Sequence, residues 1–117
     1  MKKILILVIP ILMSCTSIKS NKRYCNENEK FKEMFFYHIE YIKKNISNSQ
    51  DSTFIKSVIF LSNYAPVSVD RIMNYARIYP IGVFEKDQIK LLEWYEENKC
   101  KNIQFKKSYN VPTVYKN

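Results

Sequence analysis

A single glycine, Gly82, stands among 117 residues, and that scarcity limits the possible folds more than any other feature. Glycine supplies the positive-φ positions that tight hairpin turns need and the close backbone approach of phosphate-cradling loops. With only one, a turn-dense all-β domain is disfavoured and a Gly-rich phosphate cradle is excluded. Seven Phe, nine Tyr and one Trp provide enough apolar bulk for a core, so an ordered domain rather than a disordered chain is expected. The length leaves room for one such domain.

The apolar residues recur at helical spacing. Asn26 followed by Glu29 has the form of a helix N-terminus, and Phe31, Phe35, His38 or Ile39, and Ile42 then share a face. This predicts a first helix over 27–44 and a loop over 45–50. Asp51 or Ser52 can cap a second helix carrying Phe54, Val58 and Leu61, with Ile55 and Ile59 beside them, which Pro66 stops. Ser68 can cap a short third helix with Val69, Ile72, Met73 and Ala76 inward, ended before Pro80. A fourth is expected over 84–98, with Ile89, Leu91, Leu92 and Tyr95 inward and Trp94 flanking. Ile103 and Phe105 alternate with polar residues in a short extended piece, and residues from 108 onward read as a flexible tail. The fold class expected is all-α: a bundle of about four helices over 26–107.

The N-terminus has a separate logic. Lys2 and Lys3 precede a run over 4–13 that is apolar throughout, too short for the ~20 residues that span a bilayer and containing Pro10, which disfavours a lasting membrane helix. A charged start, a short apolar core and small residues form the layout of a secretory signal peptide. At its end, Leu12-Met13-Ser14-Cys15 resembles the lipobox of bacterial lipoproteins: an aliphatic residue, a variable one, a small one, then Cys. A smaller residue is more usual where Met13 stands. The resemblance covers only these first residues. It implies removal of residues 1–14, diacylglycerol on the Cys15 sulfur, a lipidated tether over 15–25 and a location on the bacterial cell envelope. An ordinary signal peptide or an uncleaved apolar anchor are the alternatives.

Charge and cysteines fit export. Removing Lys2 and Lys3 lowers the formal charge from +8 to +6. The tether contributes Lys19, Lys22 and Arg23, and the C-terminal stretch contributes Lys99, Lys101, Lys106, Lys107 and Lys116. The body between them has nine basic and eleven acidic residues. Basic flanks with aromatics would suggest nucleic acid in a cytosolic protein. Outside the cytoplasm, anionic headgroups or wall polymers are the expected counter-charges, with Lys99, Lys101, Lys106 and Lys107 as candidate contacts. With Cys15 reserved for lipid, Cys25 and Cys100 remain as an even pair, read as a disulfide in an oxidising compartment. Free or intermolecular thiols are the alternative.

Catalytic chemistry finds little support. His38 is the sole imidazole available as a base, and its inner helical position suits packing better than proton transfer. No metal site, catalytic residue or cofactor is expected, because two Cys and one distant His form no ligand spacing. Glu93, Glu96 and Glu97, and likewise Glu33 and Glu40, read as solvated helix faces rather than paired acids. Tyr64, Tyr75, Tyr79, Trp94 and Tyr95 crowd the second half, mostly as core, with one or two left for a partner surface. The Asn45-Ile46-Ser47 sequon carries no weight in a bacterial chain.

Two functions are compatible with these features. One is a protein-binding module, such as an immunity or inhibitor protein against an envelope-targeting enzyme, which predicts a contiguous exposed aromatic or acidic patch. The other is a structural or accessory lipoprotein that holds anionic lipid or wall polymer through its basic ends.

Overall fold

The computed structural model describes residues 25–72 and 77–116. Among the described residues there are three α-helices: α1, Glu29–Lys44; α2, Ser52–Ser62; and α3, Val83–Asn98. Single 3-10 turns lie at Val69–Arg71 and Thr113–Tyr115. The only sheet-like pairing among the described residues is an isolated bridge between Asn26 and Lys101. None of the described helices is long and apolar enough to cross a membrane.

Each helix starts where the local chemistry allows. Asn28 caps α1 by accepting from the Phe31 N–H at 3.2 Å, two residues later than the Asn26 start expected. Asn26 is instead committed to the bridge with Lys101. Asp51 caps α2, accepting from the Phe54 N–H at 2.8 Å, and that bond holds its carboxyl below the usual carboxylate range. Gly82 precedes α3 with φ +83°, a left-handed conformation costly for any residue with a side chain.

The core is built from helical periodicity. Phe31, Phe35, Ile39 and Ile42 of α1 meet Phe54, Val58 and Leu61 of α2, all buried, and these two helices form the main helix pair. Helix α3 joins through large rings. Phe35 lies against Tyr95 with centroids 5.2 Å apart and against Trp94 at 5.5 Å, while Phe36 meets Tyr95 edge-on at 5.1 Å. Aromatic pairs of this kind contribute about 0.5–1.5 kcal/mol beyond the area they bury.

Two expected details are corrected, the Ser68 cap and the inward stripe of the last helix. The third helix is represented among the described residues only by the 3-10 turn Val69–Arg71; Met73 and Ala76 lie outside them. Ser68 makes no side-chain capping bond, because its hydroxyl donates to buried Asp87 at 2.8 Å and its N–H to the same carboxylate at 3.1 Å. On α3, Ile89 and Leu92 face outward, and the buried stripe is Phe84, Asp87, Leu91 and Tyr95. The Asp87 carboxylate fixes that rotation, since it also accepts from the buried Tyr79 hydroxyl, whose proton is held by burial and by this bond.

Cys25 and Cys100 lie at disulfide distance, Cα atoms 4.5 Å apart. The link ties the approach to α1 to the exit from α3. At the other end of these helices, Lys43 and Ile46 share a cleft with Gly82 and Phe84, so α1 and α3 run antiparallel.

The C-terminal stretch is a correction of a different kind. Residues expected to be loose form a strap that lies across the bundle. Val114 and Tyr115 pack on the core, and the Tyr115 hydroxyl donates to Gln50 at 2.5 Å. Gln50 is buried; its Nε2 donates to the Ile72 carbonyl at 3.1 Å and its N–H to the Arg77 carbonyl at 2.9 Å. One glutamine thus joins the strap, the α1–α2 loop and the segment before α3.

Candidate functional site

The strap creates a concave surface that the helices alone would lack. Asn102 turns the chain at φ +50° just after the disulfide, a conformation Asn tolerates better than most residues. The strap then crosses the end of α2, where Asn63 holds it reciprocally. Asn63 Nδ2 donates to the Asn110 carbonyl at 2.9 Å, and the Asn110 N–H donates to Asn63 Oδ1 at 2.8 Å. Tyr64 adds a second clasp: its hydroxyl accepts from the Lys106 N–H at 2.8 Å and sits 3.0 Å from the Tyr109 hydroxyl. Burial, then the bond to Tyr64, pushes the Tyr109 hydroxyl up to about 12, so it stays protonated at neutral pH.

With the strap in place, Met34 and His38 of α1, Lys56, Ile59 and Phe60 of α2, and Phe105 and Tyr109 of the strap enclose an open groove of about 390 Å³. Its edges are unusually apolar for a surface: Met34, Phe105 and Tyr109 are 39%, 42% and 36% exposed. The aromatic ring contacts are continuous. Phe60 lies 4.5 Å from His38, 5.9 Å from Tyr109 and 6.4 Å from Phe105, centroid to centroid. Tyr37, half-exposed, extends the patch from His38 at 5.1 Å. Tyr37, Phe105 and Tyr109 are the exposed members of this ring chain, joined through buried His38 and Phe60.

His38 forms the floor. Its Nδ1 is 2.8 Å from the Ser57 hydroxyl. Burial depresses the imidazole from 6.5 to about 4, so it is neutral at physiological pH. A neutral His bonded to Ser has the parts of a nucleophile and its base. Ser57, however, is fully buried, so no substrate carbonyl can approach its hydroxyl. The pair satisfies two buried polar groups between α1 and α2.

A second hollow, of about 530 Å³, lies at the C-terminal end of α1, lined by Ile46, Tyr79, Ile81, Phe84 and neighbours. Ile81 is fully exposed there, at the turn before Gly82. Its rim mixes Lys43 with Glu85, so it presents no single sign of charge. Tyr79 contributes its ring to the wall while its hydroxyl is turned to Asp87.

The residues singled out in the sequence are distributed as follows. Cys15 lies outside the described residues, as does Tyr75. Cys25 and Cys100 come together. The four lysines have different partners. Lys99 pairs with Glu96 at 2.8 Å and Lys101 donates to Asn98 at 3.2 Å, both at the end of α3. Lys106 donates to the Asn63 carbonyl at 2.5 Å with its ammonium 5.4 Å from the Tyr64 ring centroid, beside the groove, and exposed Lys107 follows it. Tyr95 is buried with its hydroxyl on Glu27, and Tyr79 is buried on Asp87. Trp94 packs against the core. No group of three or more His, Cys, Asp or Glu able to hold a metal occurs among the described residues.

Sequence reasoning missed Gln50, Asp87 and Asn63, the polar residues that position the loops and the strap. Asp87 had one visible signal: an acid three residues after Phe84 and four before Leu91, on the apolar face of α3. No protein family, curated protein or solved structure matches the chain.

Proposed function

We propose that this chain is a lipid-anchored protein of the bacterial cell envelope whose helical domain binds a protein partner there, as an immunity or inhibitor protein directed at an envelope-targeting enzyme. Leu12-Met13-Ser14-Cys15 supports the anchoring, since two or three acyl chains on Cys15 would contribute ~0.8 kcal/mol per buried methylene. The binding role rests on one observation above the rest: the exposed ring-and-methionine groove beneath the strap. Met and aromatic residues in a concave patch are the residue types that dominate protein–protein hot spots. An enzyme reading lacks comparable support, because the one His–Ser pair is closed to substrate.

The test is affinity capture with the detergent-extracted chain as bait against envelope and secreted proteins, at low and moderate salt. One protein retained at equal stoichiometry through the salt wash is the expected result. Only lipid, glycan or diffuse salt-released material would remove the reading.

A structural or accessory role at anionic lipid or wall polymer is the second reading. It is favoured by the Cys25–Cys100 link, which sets Lys99 and Lys101 beside the point where the basic tether joins the domain. Neutralising Lys99, Lys101, Lys106 and Lys107 together would then abolish salt-sensitive binding to anionic vesicles.

A further inference from the structure

The groove beneath the strap carries a chemical preference of its own. Its floor and edges are apolar, and the one charged residue lining it is cationic, Lys56. Lys106, on the same strap, turns its ammonium to the Asn63 carbonyl in the adjoining hollow, and exposed Lys107 follows it. No carboxylate is among the lining residues. The site is also preorganised, because the Asn63–Asn110 pair and the Tyr64–Tyr109 contact fix the wall that carries Phe105 and Tyr109. Fixing such a wall before binding lowers the ordering cost of association.

We propose that this groove is the docking face for an acidic segment of a partner polypeptide, which inserts an aromatic or aliphatic side chain between Met34, Ile59 and Phe105. The inference rests on the protein-binding reading above and names the site and the partner's chemistry. Charge complementarity selects the acidic flanks: apposed like charges are unfavourable, and lysines in the groove and on its strap accelerate encounter with an acidic surface. The same rule excludes the chain's own N-terminal tether, whose charged residues Lys19, Lys22 and Arg23 are all basic. Openness selects a polypeptide over a lone acyl chain. Small apolar ligands are held by pockets that bury 70–90% of their surface, roughly speaking, whereas Met34, Phe105 and Tyr109 stand at the edges of a groove open to solvent. One side chain fills such a groove while its flanking backbone covers the rim.

The test is an amide NMR titration of the disulfide-bonded chain with defined probes. These are a blocked peptide with a central Trp flanked by Asp and Glu, the same acidic peptide with central Ala, the Trp peptide with Lys flanks, and dodecanoate. The acidic Trp peptide should shift the amides of residues 34, 59, 105 and 109 and bind ~10-fold or more tightly than either control peptide. Met34→Lys should abolish those shifts, and Lys56→Glu should remove the preference for acidic flanks. Both sites are exposed enough for the fold to survive, which the remaining amide resonances report. Equal binding of the Lys-flanked peptide, shifts confined to the Ile81 cleft, or tighter binding of dodecanoate in the groove would each overturn the proposal. Affinity capture separates the two levels. A partner captured equally by wild type and by Met34→Lys removes the groove but leaves the protein-binding reading, whereas capture of no stoichiometric protein removes both.

Discussion

The α1–α2 pair and the strap that crosses it are held by different means. Between α1 and α2 the contacts repeat with the helical period, so Phe31, Phe35, Ile39 and Ile42 share one apolar seam with Phe54, Val58 and Leu61. The strap has no such period. It is fastened at separate points: Cys100, Lys106, Tyr109, Asn110 and Tyr115. Burial spread over many residues gives global stability, while a few hydrogen bonds give local order that can be lost without unfolding the rest. The proposed binding groove needs both, since α1 and α2 supply its floor and the strap its outer wall.

Phe35→Ala should have the largest effect. A fully buried ring that touches Phe31, Phe36, Trp94 and Tyr95 would leave a cavity, and a loss of about 3–5 kcal/mol is expected. Chemical denaturation followed by far-UV circular dichroism measures it. A loss below ~1 kcal/mol would mean that the seam is not the source of global stability.

Replacing Cys25 and Cys100 together by Ser comes next. The link closes a separation of 75 residues, for which the chain-entropy treatment gives about 4 kcal/mol, with measured values often lower. The comparison is sharpened by where the loss appears. Hydrogen exchange should accelerate first in residues 101–116, ahead of α1 and α2. Uniform acceleration would show that strap and bundle open as one unit.

Acid should weaken the α1–α2 pair through His38. Its folded value near 4 lies below the ordinary 6.5, so between these the unfolded chain binds a proton that the folded chain refuses. Stability is therefore unaffected by this group above pH 6.5 and falls as pH drops towards 4, by roughly 3 kcal/mol at most. His38→Gln should flatten that part of the stability–pH curve. An unchanged slope in the variant would show that the imidazole is not the titrating group.

Asn63→Ala should act most locally. It removes both bonds to Asn110 and the Nδ2 bond to the Ile59 carbonyl at the end of α2, and is expected to cost about 1–3 kcal/mol, read as faster exchange at Asn110 and weaker binding in the groove. Preserved protection at Asn110 would place the strap's anchorage elsewhere.

The same contrast explains what the sequence could reveal. The α1 and α2 spans to within two residues, a cap at Asp51 or Ser52, the stop before Pro66 and the pairing of Cys25 with Cys100 are written in periodicity, local capping chemistry and parity. The strap is not, because Tyr115 finds Gln50 across a separation of 65 residues and Asn110 finds Asn63 across 47. A single polar pair over such a distance leaves no local pattern. Ile89 misled for a related reason. Hydrophobicity alone placed it inward, whereas the Ser68 and Tyr79 bonds to Asp87 set the rotation of α3. Of the groove, Lys106 was visible only as a charge and Phe105 only as an alternating apolar residue; their convergence with Met34 depends on the strap.

The proposed lipid anchor on Cys15 would put the groove outside the cytoplasm, and intact mass of the membrane-extracted chain, before and after reduction, tests that proposal most directly. The predicted result is a chain beginning at Cys15, heavier by its acyl groups, that gains two hydrogens on reduction as Cys25 and Cys100 separate. A chain retaining Met1, or one with a free Cys15 thiol, would contradict it.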